Sequence, residues 1–175
     1  MFGKVMKHCI AAFGLRALRV QVLYSGDACA ALLRGRAVVH ANHVSLLDGV
    51  ILALASPAPL VFAVDTDYSR RSQFARLGLA FLSWVGFGWV VPVDATAPYG
   101  VRSLHRAITA GSNVMVFPEG AISPTGRRQL DRPGLDWLIA KTGATPVAVE
   151  IRGAENSRLF AKAGSQFWPK ITVHF

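Results

Sequence analysis

Residues 36–55 read RAVVHANHVSLLDGVILALA. The run AVVH (37–40) has the character of a buried strand, and VILALA (50–55) that of a buried helix face. Between the two apolar runs stand Asn42, His43, Ser45 and Asp48. Polar groups at the mouth of a core element are costly unless they are paired. The stretch therefore predicts a strand, a polar loop and a helix. Ser45 is a suitable N-cap, and Asp48 three residues on completes an S-x-x-D capping box. His43 and Asp48 cannot meet along one continuous helix. They can meet if His43 lies in the loop and Asp48 in the first turn.

Two readings of that pair stay open at this level. In one, Asp48 only caps the helix and His43 is a polar loop residue. In the other, Asp48 holds one imidazole nitrogen and leaves the second free to take a proton from an attacking hydroxyl. No G-x-S-x-G is present. The attacking oxygen would then belong to the substrate, and no covalent enzyme intermediate would form. Asn42 is expected to brace the loop.

A second polar cluster repeats the pattern. The buried run NVMVF (113–117) ends in Pro118-Glu119-Gly120. An acid followed by glycine at the carboxyl end of a strand sits where α/β proteins place their ligands. Arg127, Arg128 and Arg132 follow, and with a base at another strand end they read as an anion pocket. Taken one at a time, they read as solvated charges on a surface turn.

The remaining segments extend the alternation. Strands are expected at 19–26, 60–65, 88–94, 145–151 and 171–175, and helices at 69–84, 98–110 and 134–143. Gly111 and Gly143 are expected helix stops. This order predicts a single α/β domain with a mostly parallel, buried central sheet flanked by helices. Residues 1–15 are set apart as an amphipathic helix and 16–175 as the main domain. Phe2, Val5, Met6, Cys9, Ile10 and Phe13 follow helical spacing, with Lys4 and Lys7 on the other side. Such a helix fits a membrane surface or its own domain equally well. Phe81, Trp84, Phe87 and Trp89 are either core aromatics or residues that dip into lipid. The chain stops in what reads as mid-strand, so a longer native polypeptide is expected.

The chain has 175 residues, is 52% hydrophobic with mean hydropathy +0.36, and carries a formal charge of +9. An apolar and basic chain suits an anionic membrane surface. Nucleic acid is ranked last as a partner, since neither zinc spacing nor an aromatic RNA-binding signature is present. Two cysteines give neither a disulfide framework nor a metal cluster. No metal or redox cofactor is implied.

The blocks Asn42-His43-x-x-x-x-Asp48 and Phe117-Pro118-Glu119-Gly120, in this order, resemble the glycerolipid acyltransferases of the lysophospholipid/lysophosphatidate type. VVPVD (90–94) and TPVAV (145–149) are similar to the second and fourth blocks of that family. Within it, NHVSLLDG, VFAVDT and VMVFPEG look most like the acyltransferase part of the bacterial acyl-ACP synthetase/2-acylglycerophosphoethanolamine acyltransferases. There an acyl-activating ligase domain is joined on. The resemblance implies a glycerol-3-phosphate acyltransferase-like fold on the cytoplasmic face of the inner membrane, held peripherally. It implies acyl transfer from acyl-ACP or acyl-CoA to a free hydroxyl of a lysophospholipid. His43 would be the base and Asp48 its partner. Asn42, Ser45, Glu119, Gly120, Arg127, Arg128 and Arg132 would serve the substrate. An acyl-activating ligase domain or partner is also expected.

The chain departs from the lysophosphatidate-making branch at three positions. Ala121 and Ile122 replace a Thr and an Arg, and Ala95 follows Asp94 where an Arg is usual. These losses favour a phosphodiester acceptor such as 2-acylglycerophosphoethanolamine over lysophosphatidate. Acylation of an ornithine lipid or glycolipid, and a non-catalytic acyl-carrier- or lipid-binding module, are the alternatives.

Overall fold

The structure, a computed structural model, describes residues 2–65, 87–93 and 99–175. The expected helix over 69–84, with Phe81, Trp84 and the nearby Asp94, lies outside the described residues. The strands are β1 (Val20–Leu23), β2 (Ala37–Ala41), β3 (Leu60–Asp65), β4 (Gly88–Val93), β5 (Asn113–Val116), β6 (Thr145–Arg152) and β7 (Ile171–His174). They form one sheet in the order β1-β7-β6-β2-β5-β3-β4. β6, β2, β5, β3 and β4 run parallel. β7 pairs antiparallel with β6, and β1 parallel with β7, so this edge runs the other way. The expected α/β fold with a mostly parallel sheet is what forms.

β2 lies near the middle and explains its own composition. Val38 packs into one apolar layer with Val61, Leu104, Ile108, Val114 and Leu138. Ala37, Val39 and Ala41 point into the other, with Leu32, Ile51, Leu52 and Phe62. A strand covered on both faces has no polar side to show, hence the unbroken AVV. β6 has only one covered face. Val147, Val149 and Ile151 are buried, while Pro146, Ala148, Glu150 and Arg152 are exposed.

The helices are α1 (Phe2–Ala17), α2 (Gly26–Arg34), α3 (Asp48–Ala55), α4 (Tyr99–Thr109) and α5 (Leu135–Thr142). α3 is apolar nearly all round because it lies between the sheet and α1. Ile10, Ala11 and Leu15 of α1 pack on this layer. At Gly14 a β-carbon would come 2.9 Å from the Leu54 side chain. Thus α1 does pack on its own domain. Its outer side nonetheless keeps Val5, Met6 and Phe13 exposed. Phe87 is buried and Trp89 about half exposed. Gly111 and Gly143 stand at the helix ends with φ +97° and +60°.

α2 was not anticipated from the sequence. Its buried residues are Ala28, Ala31 and Leu32. The Ser25 hydroxyl accepts from Ala28 N–H at its start. Asn113 joins α2 to the sheet from the far end. Its buried amide donates to Leu32 O at 2.9 Å and accepts from Ala37 N at 3.0 Å.

Gly88 marks the tightest approach between β3 and β4. It stands opposite Leu60, and a β-carbon there would lie 2.1 Å from Leu60 O. Gly88→Ala must push two backbones apart. It should lower unfolding free energy by at least about 2 kcal/mol in urea denaturation.

Candidate active site

β2 and β5 are neighbours, with His40 opposite Val116. The loops after them therefore leave the same sheet edge side by side, although 76 residues separate His43 from Glu119. At Asn42 a side chain takes over the work of the backbone. Its amide donates to Ile151 O and accepts from Ile151 N, both at 2.8 Å. This continues the β2–β6 ladder past Ala41 and lets the main chain turn away with its polar groups satisfied.

The turn then presents His43. Its Nδ1 lies 3.0 Å from Asp48 Oδ2. The same oxygen accepts from Val44 N at 2.7 Å and Ser45 N at 2.8 Å. Asp48 is fully buried, and among the described residues its Oδ1 has no hydrogen-bond partner. Burial pushes this carboxyl above its ordinary range, against the pull of His43 and the two backbone N–H groups. With Nδ1–H donating to the carboxylate, Nε2 is the nitrogen left to accept a proton. The imidazole is about one-fifth exposed, and it stacks on Phe117 at 4.0 Å between ring centroids and 13° between planes.

The expected capping box is shifted. α3 begins at Asp48 with Leu47 as its N-cap, which offers no side-chain bond. Ser45 stands one turn earlier. Its hydroxyl accepts from Leu47 N at 3.0 Å, while Asp48 reaches back to Ser45 N. Ser45 fails as the helix N-cap because the intervening turn precedes the first helical residue. The reciprocal bonds survive and fold the turn instead.

The second cluster holds the first in place. Glu119 is buried, and its Oε1 accepts from His43 N at 3.0 Å. Its Oε2 accepts from Gln129 N at 3.0 Å. The His43 carbonyl in turn accepts from Ser123 N at 2.8 Å. The backbone of His43 is thus gripped from both sides by the 117–129 segment. Gly120 has φ +72°, and a β-carbon would come 2.6 Å from Arg132 Nε. Arg132 is accordingly packed against the strand-end turn. Arg128 is ion-paired with Asp131 at 2.9 Å. Arg127 gives its carbonyl to the Ser123 hydroxyl and is exposed. The three arginines share a loop but have different surroundings. Sequence reasoning passed over Phe117, Ser123 and Gln129 as site residues. An aromatic two positions before Glu119 was the one available signal.

His40, half-buried on β2, has its pKa lowered by burial and then by Arg128. A histidine depressed on folding leaves stability intact at neutral pH. Stability falls once the pH drops below the unfolded value of 6.5, because the unfolded chain then takes up the proton more readily. His40→Gln should flatten the loss of thermal stability between about pH 6.5 and 5.

Among the described residues, no group of three or more His, Cys, Asp or Glu side chains is arranged to hold a metal ion. No described helix is long and apolar enough to cross a membrane.

A histidine–carboxylate pair at the carboxyl edge of an α/β sheet is an arrangement able to hold and move a proton. The comparisons identify the class. The family model described as "Acyltransferase" matches residues 20–155, so the chain belongs to the acyltransferase family. It is an acyltransferase enzyme. Its fold is similar to the crystal structure of the 1-acyl-sn-glycerophosphate (LPA) acyltransferase PlsC from Thermotoga maritima. The TM-score is 0.64 at 22% identity, over 98% of this chain and 68% of that one.

Removing one Glu119 oxygen as an anionic acceptor strands a buried N–H. Glu119→Gln should destabilise the fold by about 1–3 kcal/mol in urea denaturation. It should also broaden the NMR signals of the His43 ring.

Proposed function

We propose that this acyltransferase moves a fatty acyl group from acyl-ACP or acyl-CoA to the free hydroxyl of a lysophospholipid, with lysophosphatidate as the acceptor. The observation that carries the chemistry is His43 with Nδ1 tied to a buried carboxylate and Nε2 left free. Nε2 takes the proton of the acceptor hydroxyl as its oxygen attacks the thioester carbonyl. The C–S bond then breaks, and the imidazolium returns the proton to the departing thiolate. Asp48 holds the tautomer and stabilises the imidazolium. Glu119 acts through His43 as a positioning residue, and Asn42 and Ser45 shape the turn. Gly120 and the arginines Arg127, Arg128 and Arg132 border the acceptor, with Arg132 nearest the turn as the phosphate partner. The work is done peripherally at the cytoplasmic face of the inner membrane, on thioester supplied by an acyl-activating ligase.

Lysophosphatidate is supported by the fold likeness to PlsC from Thermotoga maritima, a 1-acyl-sn-glycerophosphate (LPA) acyltransferase. A second reading, 2-acylglycerophosphoethanolamine, is favoured by Ile122. This buried aliphatic side chain stands where the lysophosphatidate-making branch carries an arginine.

The test is transfer of labelled acyl chains to lysophosphatidate, 2-acylglycerophosphoethanolamine and glycerol 3-phosphate. Turnover of lysophosphatidate alone supports the main reading, and turnover of the ethanolamine lipid alone establishes the second. His43→Ala should cost about 10²–10⁴-fold in rate, and equal rates would remove it from the mechanism. Asp48→Asn can keep an oxygen for all three N–H donors but sets its NH2 where Oδ1 is buried without a partner among the described residues. It should lower stability by no more than about 1–3 kcal/mol, since a buried charge is given up, and lower the rate by about 10²–10⁴-fold.

A further inference from the structure

The positive charge of this chain is not spread evenly. Residues 1–25 hold four Lys and Arg and no acid, and residues 156–175 hold three and no acid. The residues between hold 12 basic and 10 acidic side chains and nearly cancel. The two unbalanced segments are far apart in sequence, yet the fold brings them together. β1 pairs with β7, and Ile171 N donates to Arg19 O at 3.1 Å. Trp168 Nε1 donates to Ala17 O at 2.9 Å, and Arg19 Nη1 donates to Trp168 O at 2.8 Å. The loop before β7 is thereby fastened to the end of α1.

Both segments also expose large apolar side chains. On α1 these are Val5, Met6 and Phe13, the last 76% exposed. They remain exposed while Ile10, Gly14 and Leu15 of the same helix face the domain. On the loop they are Leu159, Phe167 and Trp168, with Phe167 67% exposed. Isolated surface hydrophobes need no explanation, but apolar groups gathered within a basic field do. The same loop reaches the catalytic turn, where Leu46 N donates to Phe160 O at 2.9 Å.

We propose that α1 and the 157–169 loop form one docking edge for an anionic bilayer, with Leu159, Phe167 and Trp168 as a second apolar anchor beside α1. The proposal deepens the lysophospholipid reading, since it says how the turn bearing His43 is brought to the lipid. Charge selects this occupant. A second copy of the chain would set two strongly basic edges against each other. A nucleic acid would answer the charge but would leave Phe13, Leu159 and Phe167 in water. An anionic bilayer answers both, with basic side chains at the headgroups and apolar ones below them. Two anchors on separate elements also fix the orientation of the domain, which contact through one element alone does not.

The test is flotation of the purified protein with vesicles of phosphatidylcholine alone and of phosphatidylcholine with equal phosphatidylglycerol. Binding is read directly, so its outcome is independent of which acceptor is acylated. Wild type should float with the anionic vesicles and far less with the neutral ones. Leu159→Ser with Phe167→Ser should reduce partitioning at least about tenfold while circular dichroism and Tm stay unchanged. Brominated anionic lipid should quench wild-type tryptophan fluorescence, and Trp168→Phe should remove the quenched component. That second measurement does not depend on the double variant. The proposal is overturned if the double variant floats like wild type, or if Trp168 contributes nothing to the quenching. A wild-type dimer in sedimentation that the same double variant abolishes would also overturn it, by assigning the edge to a second copy.

Discussion

A carboxylate removed from water must find donors, and the Asp48 side chain organises its surroundings on that demand. One oxygen gathers the His43 ring and two successive backbone N–H groups. Those three bonds bend the chain between β2 and α3 into a single tight turn. They also fix which way the imidazole faces. Cap, turn and tautomer are therefore one arrangement, and α3 starts where it does because Asp48 is already occupied.

The turn would be poorly held by these bonds alone. Glu119 fastens it from the neighbouring strand end, and Phe117 covers one face of the ring. This support depends on β5 lying next to β2 and in the same direction. The relevant geometry is thus set by sheet order rather than by any local motif. The Asn42 amide contributes on the opposite flank by extending the pairing with β6. The site sits between two neighbours of the central strand and draws a backbone bond from each.

Much of this was legible in the residues. β3 falls on 60–65 as expected, and the strand–loop–helix reading of 36–55 places His43 and Asp48 correctly. The short α2 was not anticipated, because its exposed Ala30 and Leu33 blur the contrast with the buried Ala28, Ala31 and Leu32. The reversed β1–β7 edge was also hidden, since a strand buried on one face alternates in the same way whichever direction it runs. The partnership of Glu119 with the His43 backbone could not be read at all. It joins a side chain to an N–H across 76 positions, and a backbone donor leaves no mark in composition.

The sheet order carries a consequence for how the chain reaches this state. β5 lies between β2 and β3, although both precede it in the chain. During synthesis β2 and β3 emerge first, apolar and able to pair with one another. Any such pairing must open again to admit β5. Until it does, Glu119 is absent from the His43 turn, and the buried carboxylate sits in a loosely held loop. The site is therefore complete only once the last-made of these three strands stands between the other two.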